Sequence, residues 1–151
     1  MKDRRSRKQL WIGICIHHTG IGKLDPDKIS ESKWKSLFKN IAKYLTTDDD
    51  NYVSAHYIIG RFGEVEKLVD DQHYVAYHAG RSSYFHPIKR KVLSGMNDYM
   101  IGIELVGDGN KGKFSTEQYL ALADLCKNLT KKYSTISPRC IVGHDEIILC
   151  A

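Results

Sequence analysis

Two adjacent histidines, His17 and His18, close a short apolar run that lies between Gly13 and Gly20. A short β-branched run bounded by glycines predicts a buried strand rather than a helix. Because side chains alternate across a strand, the two imidazoles should point to opposite faces, so at most one readily serves a site on a given face. A strand end is a rigid position for a metal ligand, and the loop that follows leaves room for a substrate. On this stretch alone, a hydrogen-bonded structural histidine is an equally good interpretation.

Two further segments carry residues of the same chemical kind. Glu104 stands inside the apolar run 99–107, where a carboxylate is costly unless it is paired, hydrogen-bonded or near a metal. A salt bridge at the strand end is the alternative. His144 ends a second apolar run, 140–146. Imidazole ligands and a carboxylate are the groups of a hydrolytic zinc site, in which the metal lowers the pKa of bound water to about 7 and the carboxylate moves the proton.

The elements that would position these residues alternate between strands and helices. Apolar spacings of three and four predict helices over 31–45, with Tyr44 on the buried face, and from a Ser115 capping box to about 133, with Tyr119 and Ala123 facing inward. Strands over 53–60 and 65–69 form a hairpin. The segments 46–51 and 74–87 read as loops, and 84–98 as loop with a short helical piece. The pattern predicts an α/β fold: a single domain with a mixed central β-sheet flanked by α-helices.

Composition excludes several classes of function. The 151 residues fit one domain, which we expect to comprise a basic tail over 1–9 and the domain proper over 10–151. The net charge of +5 is spread along the chain without a basic aromatic cluster, so nucleic acid is not an expected partner. We expect no membrane insertion, no signal peptide and a cytoplasmic location. The first three of the four cysteines read as reduced core thiols.

Five segments together resemble the type 2 N-acetylmuramoyl-L-alanine amidases, a family that includes T7 lysozyme-like endolysins, cytosolic recycling amidases and peptidoglycan recognition proteins. The similarity covers about residues 10–147, in the family's order. The segments are Ile16-His17-His18-Thr19, Val53-Ser54-Ala55-His56-Tyr57, His78-Ala79-Gly80, Ile101-Gly102-Ile103-Glu104 and Val142-Gly143-His144-Asp145-Glu146.

The resemblance implies a zinc-dependent hydrolase that cuts the amide between N-acetylmuramic acid and the L-alanine of peptidoglycan. By motif position, His17 and His144 are implied to bind Zn2+, and Glu104 matches the proton-handling glutamate of the recycling branch. Other members carry a tyrosine where this chain has Ala55, which strengthens the assignment of Glu104 as general base. The resemblance also places four residues as candidates for substrate contact or scaffold hydrogen bonding: His18, His56, His78 and Asn97.

The ending of the chain departs from the family pattern. Family members place a third ligand, Cys or Asp, some eight to ten residues after the last histidine and just after a lysine. In this chain the ending is Ile147-Ile148-Leu149-Cys150-Ala151, which has no lysine and places Cys150 six residues after His144. Cys150 is the candidate third ligand, since thiolate binds zinc well. Carboxylates in the positions of Asp145 and Glu146 more often hydrogen-bond to metal ligands or lie at the surface than bind the metal themselves.

Two functions remain open from the sequence. One is a peptidoglycan amidase, either a phage lysin released by lysis or a cytosolic recycling enzyme. The other is a catalytically impaired module that binds peptidoglycan or muropeptide fragments in the same groove. In either case we expect a monomer.

Overall fold

The computed structural model describes residues 5–46 and 53–149. Of the predicted loop over 46–51, only residue 46 lies within these ranges, and Cys150 lies outside them. The order of the principal elements is β1 (Gly13–His18), α1 (Glu31–Thr46), β2 (Tyr57–Ile59), β3 (Val65–Lys67), β4 (Ser82–His86), β5 (Lys91–Ser94), β6 (Met100–Leu105), α2 (Thr116–Lys132), β7 (Ile141–Gly143) and β8 (Ile148–Leu149).

A five-stranded mixed sheet forms the centre, with the order β3-β2-β6-β1-β7. β1 pairs in parallel with both β6 and β7, and β2 pairs in parallel with β6. Only β3 runs antiparallel, as the partner of β2 in the predicted hairpin. The mixed α/β fold class is therefore confirmed, and the carboxyl ends of four strands meet at one edge of the sheet.

The two helices lie on opposite faces of this sheet. Neighbouring residues of a strand point to opposite faces, and Ile59 packs with α2 through Leu129, whereas Ile58 packs with α1 through Trp34. Both helices begin where local hydrogen bonding predicts. Ser30 Oγ accepts from Lys33 N–H, and Ser115 forms a reciprocal capping box with Gln118.

Two side-chain orientations differ from the amphipathic prediction. Tyr44 in α1 and Tyr119 in α2 are each 52% exposed, and Ala123 is also exposed. The buried face of α2 is instead rotated toward Gln118, whose amide donates to Val106 O from a fully buried position. Because the residue at the centre of this contact is polar, the hydrophobic pattern did not reveal the buried face of α2.

The region predicted as loop over 84–98 contains most of β4 and all of β5, which join β8 in a second small sheet of order β5-β4-β8. A 3₁₀ turn over Met96–Asp98 supplies the predicted short helical piece. In β4 the buried positions are Ser82, Tyr84 and His86, which alternate with more exposed ones. The alternation is that of a strand, but two of its three buried residues are polar, so a search for apolar periodicity misses it. Similarly, the strand predicted over 53–60 is shortened to Tyr57–Ile59.

The described part of the basic tail lies against the domain. Arg7 N–H donates to His73 O, Val75 N–H donates to Arg5 O, and the Arg5 guanidinium is 2.6 Å from Asp98. Within the described ranges, no helix is both long and apolar enough to cross a membrane.

Candidate active site

Three parallel strands bring the predicted residues to one edge of the sheet. His17, near the end of β1, lies in register with Glu104 of β6. Residues in register on adjacent strands share a face, so the two side chains leave the sheet on the same side. His144 follows directly after β7, the other neighbour of β1. The sequence supplied the residue types, and the parallel register makes them converge.

Three imidazoles are joined ring to ring. His17 Nδ1 lies 2.8 Å from His144 Nδ1, and His17 Nε2 lies 3.0 Å from His78 Nδ1. The far nitrogen of His78, Nε2, lies 2.9 Å from Met100 O. The rings of His144 and His78 both stand nearly perpendicular to that of His17.

These residues border a cavity of about 490 Å³ at the carboxyl ends of the strands. Such clefts are where ligands bind in open α/β sheets. The lining combines the histidines and the carboxylate with residues of two loops: Ile16, His17, His18, His78, Glu104, Gly109, Asn110, Gly143, His144 and Asp145.

Burial keeps the imidazoles of His17 and His78 neutral. It lowers the pKa of His17 to about 3, with smaller contributions from His144 and His18, and it lowers the pKa of His78 well below its usual value. A neutral imidazole has a free lone pair, which is the form that binds a metal. Burial has the opposite effect on Glu104 and raises the pKa of its carboxyl to about 7.

Two buried polar atoms have no hydrogen-bond partner within the described part of the chain: Glu104 Oε2 and His144 Nε2. Unpaired buried polar atoms are rare, and they concentrate where a ligand, ion or reacting group completes the site. Together with the ring nitrogens of His17 and His144, which lie 2.8 Å apart, this donor set suits a zinc ion. His17 and His144 would hold it, and Glu104 would stand beside it.

Cys15 offers a second way to complete a metal site. Cys15, His17 and His78 have ligand atoms within 4.8 Å of one another, and all three residues are buried. Burial, followed by the charge of Glu104, raises the pKa of the Cys15 thiol to about 12. Cys15 is not among the residues that border the cavity, whereas His17 and His144 both are, so the pair His17 and His144 is the metal site that opens onto the cavity.

The other predicted contact residues fall into different environments. His18 borders the cavity, with its Nδ1 3.9 Å from Asp108 Oδ1. His56 is fully buried, and both of its ring nitrogens meet backbone groups, Gly102 N–H and Tyr74 O. This fits the scaffold alternative for His56, and substrate contact by this residue stays a prediction.

Asn97 is also removed from the cavity. Its Oδ1 accepts hydrogen bonds from the backbone N–H groups of His78 and Ala79. Its amide oxygen thus fixes the segment that carries His78, which fits the scaffold alternative. Substrate contact by Asn97, which borders a separate cavity of about 390 Å³, stays a prediction. His78 itself does border the cavity, although its ring nitrogens are both engaged.

The sequence assigned no site role to five residues of the lining: Ile16, Gly109, Asn110, Gly143 and Asp145. Gly109 and Asn110 come from the loop after β6, and Asp145, treated only as a supporting residue, borders the cavity directly. The run Gly107-Asp108-Gly109-Asn110, placed at the end of the Glu104 strand, was the available signal, since loops at strand ends build such sites.

The fold and the site define a mixed α/β domain with a histidine-lined and carboxylate-lined cavity at the ends of its parallel strands. The chain belongs to the N-acetylmuramoyl-L-alanine amidase family, Amidase_2, whose model matches residues 7–150. The resemblance seen in the sequence is thus confirmed.

Individual relatives agree with this assignment. A Rickettsia conorii protein that carries the name N-acetylmuramoyl-L-alanine amidase is 32% identical over 112 residues, which are 74% of this chain and 38% of the relative. AmpDh3 of Pseudomonas aeruginosa, crystallised with an anhydromuramic pentapeptide, is 26% identical with a TM-score of 0.66, over 91% of this chain and 51% of that one.

A third relative is AmiD of E. coli, crystallised with anhydro-N-acetylmuramic acid-L-Ala-D-gamma-Glu-L-Lys. It is 26% identical with a TM-score of 0.61, over 96% of this chain and 53% of that one. The chain therefore spans about half or less of the length of these three relatives.

Proposed function

We propose that this protein hydrolyses the amide bond between the lactyl group of N-acetylmuramic acid and the L-alanine of peptidoglycan or of muropeptide fragments, with zinc as its metal. The observation that carries the proposal is the pair His17 and His144, with ring nitrogens 2.8 Å apart, beside the unpartnered carboxylate oxygen of Glu104. Membership of the amidase family and the muropeptides bound by AmpDh3 and AmiD support this choice of substrate.

His17 and His144 would hold the metal through imidazole ring nitrogens. A zinc ion bound there supplies Lewis acidity, which makes a water acidic near neutral pH and polarises the scissile carbonyl. The third protein ligand, for which Cys150 is the candidate, lies outside the described residues.

Glu104 performs the proton transfers in this scheme. Its carboxylate accepts a proton as water oxygen bonds to the carbonyl carbon, and then gives that proton to the alanine nitrogen as the carbon–nitrogen bond breaks. A pKa raised by burial to about 7 suits both steps, because the group then exchanges protons readily near neutral pH.

The rest of the cavity would hold the substrate. His18, at the end of β1, and Asn110, in the loop after β6, offer donors and acceptors, and Asp145 adds a carboxylate near His144. A volume of about 490 Å³ is within the range of small-ligand sites.

The test uses zinc-loaded full-length protein and an anhydromuramyl tripeptide, with products separated by chromatography and identified by mass. Cleavage should yield free tripeptide and anhydromuramic acid, should stop with a chelator and should return with zinc. Glu104→Gln should bind the muropeptide but not cleave it. Muropeptide binding without cleavage by zinc-loaded wild type would reject the hydrolase and favour the binding module.

A further inference from the structure

The two ring nitrogens of His78 have different partners, and this fixes where its proton lies. Nε2 is 2.9 Å from the backbone oxygen of Met100. A carbonyl oxygen can only accept a hydrogen bond, so Nε2 of His78 carries the proton and donates it. In the neutral ring, Nδ1 is then an acceptor with a free lone pair.

The same reasoning passes to the next ring. His17 Nε2 lies 3.0 Å from His78 Nδ1, and an acceptor on one side requires a donor on the other. Nε2 of His17 therefore carries the proton, and Nδ1 of His17 keeps its lone pair. That lone pair faces His144 Nδ1 at 2.8 Å. One backbone carbonyl thus determines, through two imidazoles, which nitrogen of His17 is available to a metal.

The surroundings of His78 hold its ring in this position. Asn97 Oδ1 accepts from the N–H groups of His78 and Ala79 at 2.9 and 2.7 Å, which clamps the backbone. The ring also packs directly over Gly102 of β6, where a Cβ would lie 2.4 Å from Cγ of His78 and 2.5 Å from its Cδ2. Only glycine leaves room there for the imidazole to reach both Met100 and His17.

We propose that His78 is a positioning residue that accepts a hydrogen bond from Nε2–H of His17 and donates one from its own Nε2–H to Met100 O. These two hydrogen bonds hold His17 in the tautomer that presents Nδ1 to the metal. Histidine ligands usually donate their second ring N–H to an anchored acceptor, and loss of such an acceptor lowers metal affinity by about 10–100-fold. Here the acceptor is a second histidine. The proposal rests on the metal site of the proposed function.

Two substitutions distinguish the effect of losing the hydrogen-bond acceptor from the effect of losing the volume of the ring. His78→Asn keeps an oxygen near the position of Nδ1, so it can still accept from His17 Nε2–H. His78→Leu fills similar space but accepts nothing. Relative to wild type, we expect His78→Leu to bind zinc about 10–100-fold more weakly and His78→Asn to retain most of the affinity. His73→Leu, at an exposed histidine outside the cavity, is the control and should bind as wild type does.

The direct readout is the tautomer of His17, measured by long-range proton–nitrogen NMR of ¹⁵N-histidine-labelled wild type, before and after adding zinc. The proton should be on Nε2 in both states, and zinc should shift the resonance of Nδ1. A proton on Nδ1, or zinc bound through Nε2 of His17 and Nδ1 of His78, would overturn the proposal and favour the cluster with Cys15. Unchanged zinc affinity in a folded His78→Leu would also overturn it.

Failure of the two proposals would look different. If wild type binds no zinc, the metal site of the proposed function fails. The tautomer of metal-free His17 still decides the relay, since a proton on Nε2 supports it and a proton on Nδ1 refutes it. If His78→Leu does not fold, circular dichroism reveals this, and the wild-type spectra and His78→Asn carry the test.

Discussion

His17 and Glu104 lie in register on adjacent parallel strands, so an imidazole and a carboxylate share one face of the sheet at the mouth of one cavity. Burial acts on them in opposite directions. It favours the neutral form of each, which lowers the pKa of His17 to about 3 and raises that of Glu104 to about 7. The same environment of low polarity thus keeps the imidazole of His17 neutral, as metal binding requires, and brings the pKa of the Glu104 carboxyl near neutrality, as proton transfer requires.

We expect Glu104→Gln to stabilise the metal-free protein while abolishing turnover. Because the pKa of Glu104 rises from 4.5 in the unfolded chain to about 7 in the fold, the folded state binds more protons between these values, and its stability falls as pH rises through them. At 1.36 kcal/mol per pH unit, the ionised carboxyl costs about 3 kcal/mol above pH 7. Glutamine avoids that cost.

The measurement is urea unfolding with a chelator present, at pH 4 and pH 8. The variant should gain up to about 3 kcal/mol at pH 8 and little at pH 4. Glu66→Gln, at an exposed position of β3, is the matched control and should change stability little at either pH. Destabilisation by Glu104→Gln at pH 8 would mean that the carboxylate has a stabilising partner.

Substitution of the two adjacent histidines should have different effects on metal binding. His17 is buried against His144 and His78, whereas the His18 side chain is 41% exposed at the rim of the cavity. We expect His17→Ala to lose zinc and activity together, and His18→Ala to keep zinc and raise KM for the muropeptide. Elemental analysis and steady-state kinetics provide the readouts, and zinc lost from His18→Ala would place a ligand on the wrong side of β1.

Much of the fold could be predicted because its signals are local. The capping box at Ser115 is a pattern of hydrogen bonds within four residues, and α2 begins at the next residue, Thr116. The hairpin of β2 and β3 follows a tight turn. By contrast, the small sheet combines a local hairpin of β4 and β5 with the pairing of β4 and β8, which are remote in sequence. It also depends on buried polar residues such as Ser82 and His86, which no apolar period reveals.

The site divides in the same way. The sequence was enough to predict the chemistry of His17, Glu104 and His144 from their residue types. The parallel strand order then brings these residues together. The roles of His56 and His78 could not be read in advance, because each depends on a backbone partner, Gly102 N–H in one case and Met100 O in the other. Side-chain identity alone does not say whether a histidine braces a fold or meets a substrate.

Cys15 should prove inert despite its place behind the metal site. Burial raises the pKa of its thiol to about 12, so at pH 8 it should not react with a thiol reagent in the folded protein. We expect Cys15→Ala to bind zinc as wild type does. Peptide mapping after labelling of folded and unfolded protein tests the first statement, and zinc affinity tests the second; lost zinc in Cys15→Ala would make the thiol a ligand.

Asp71 should be the most sensitive charged residue for stability, although it lies outside the cavity. Its carboxylate is fully buried, and hydroxyl donors from Tyr57 and Tyr133 reach its two oxygens at 2.5 Å. The ammonium groups of Lys132 and Lys67 lie 3.0 and 3.3 Å away. Burial alone would raise the pKa of Asp71, but these hydrogen bonds outweigh it and hold the pKa well below its usual value.

Asp71→Asn should therefore lower the free energy of unfolding by about 3 kcal/mol at pH 7, because it leaves buried donors facing an uncharged amide. The lowered pKa adds stability that is present above the unfolded pKa of 3.8 and is lost as pH falls toward the folded value, so the difference from wild type should shrink in acid. Asp124→Asn, on the exposed side of α2, is the control and should stay within about 0.5 kcal/mol. A difference that stays constant in urea unfolding from pH 7 to pH 3 would mean that the pKa of Asp71 is the same in the folded and unfolded chain, and that its hydrogen bonds and ion pairs do not lower it.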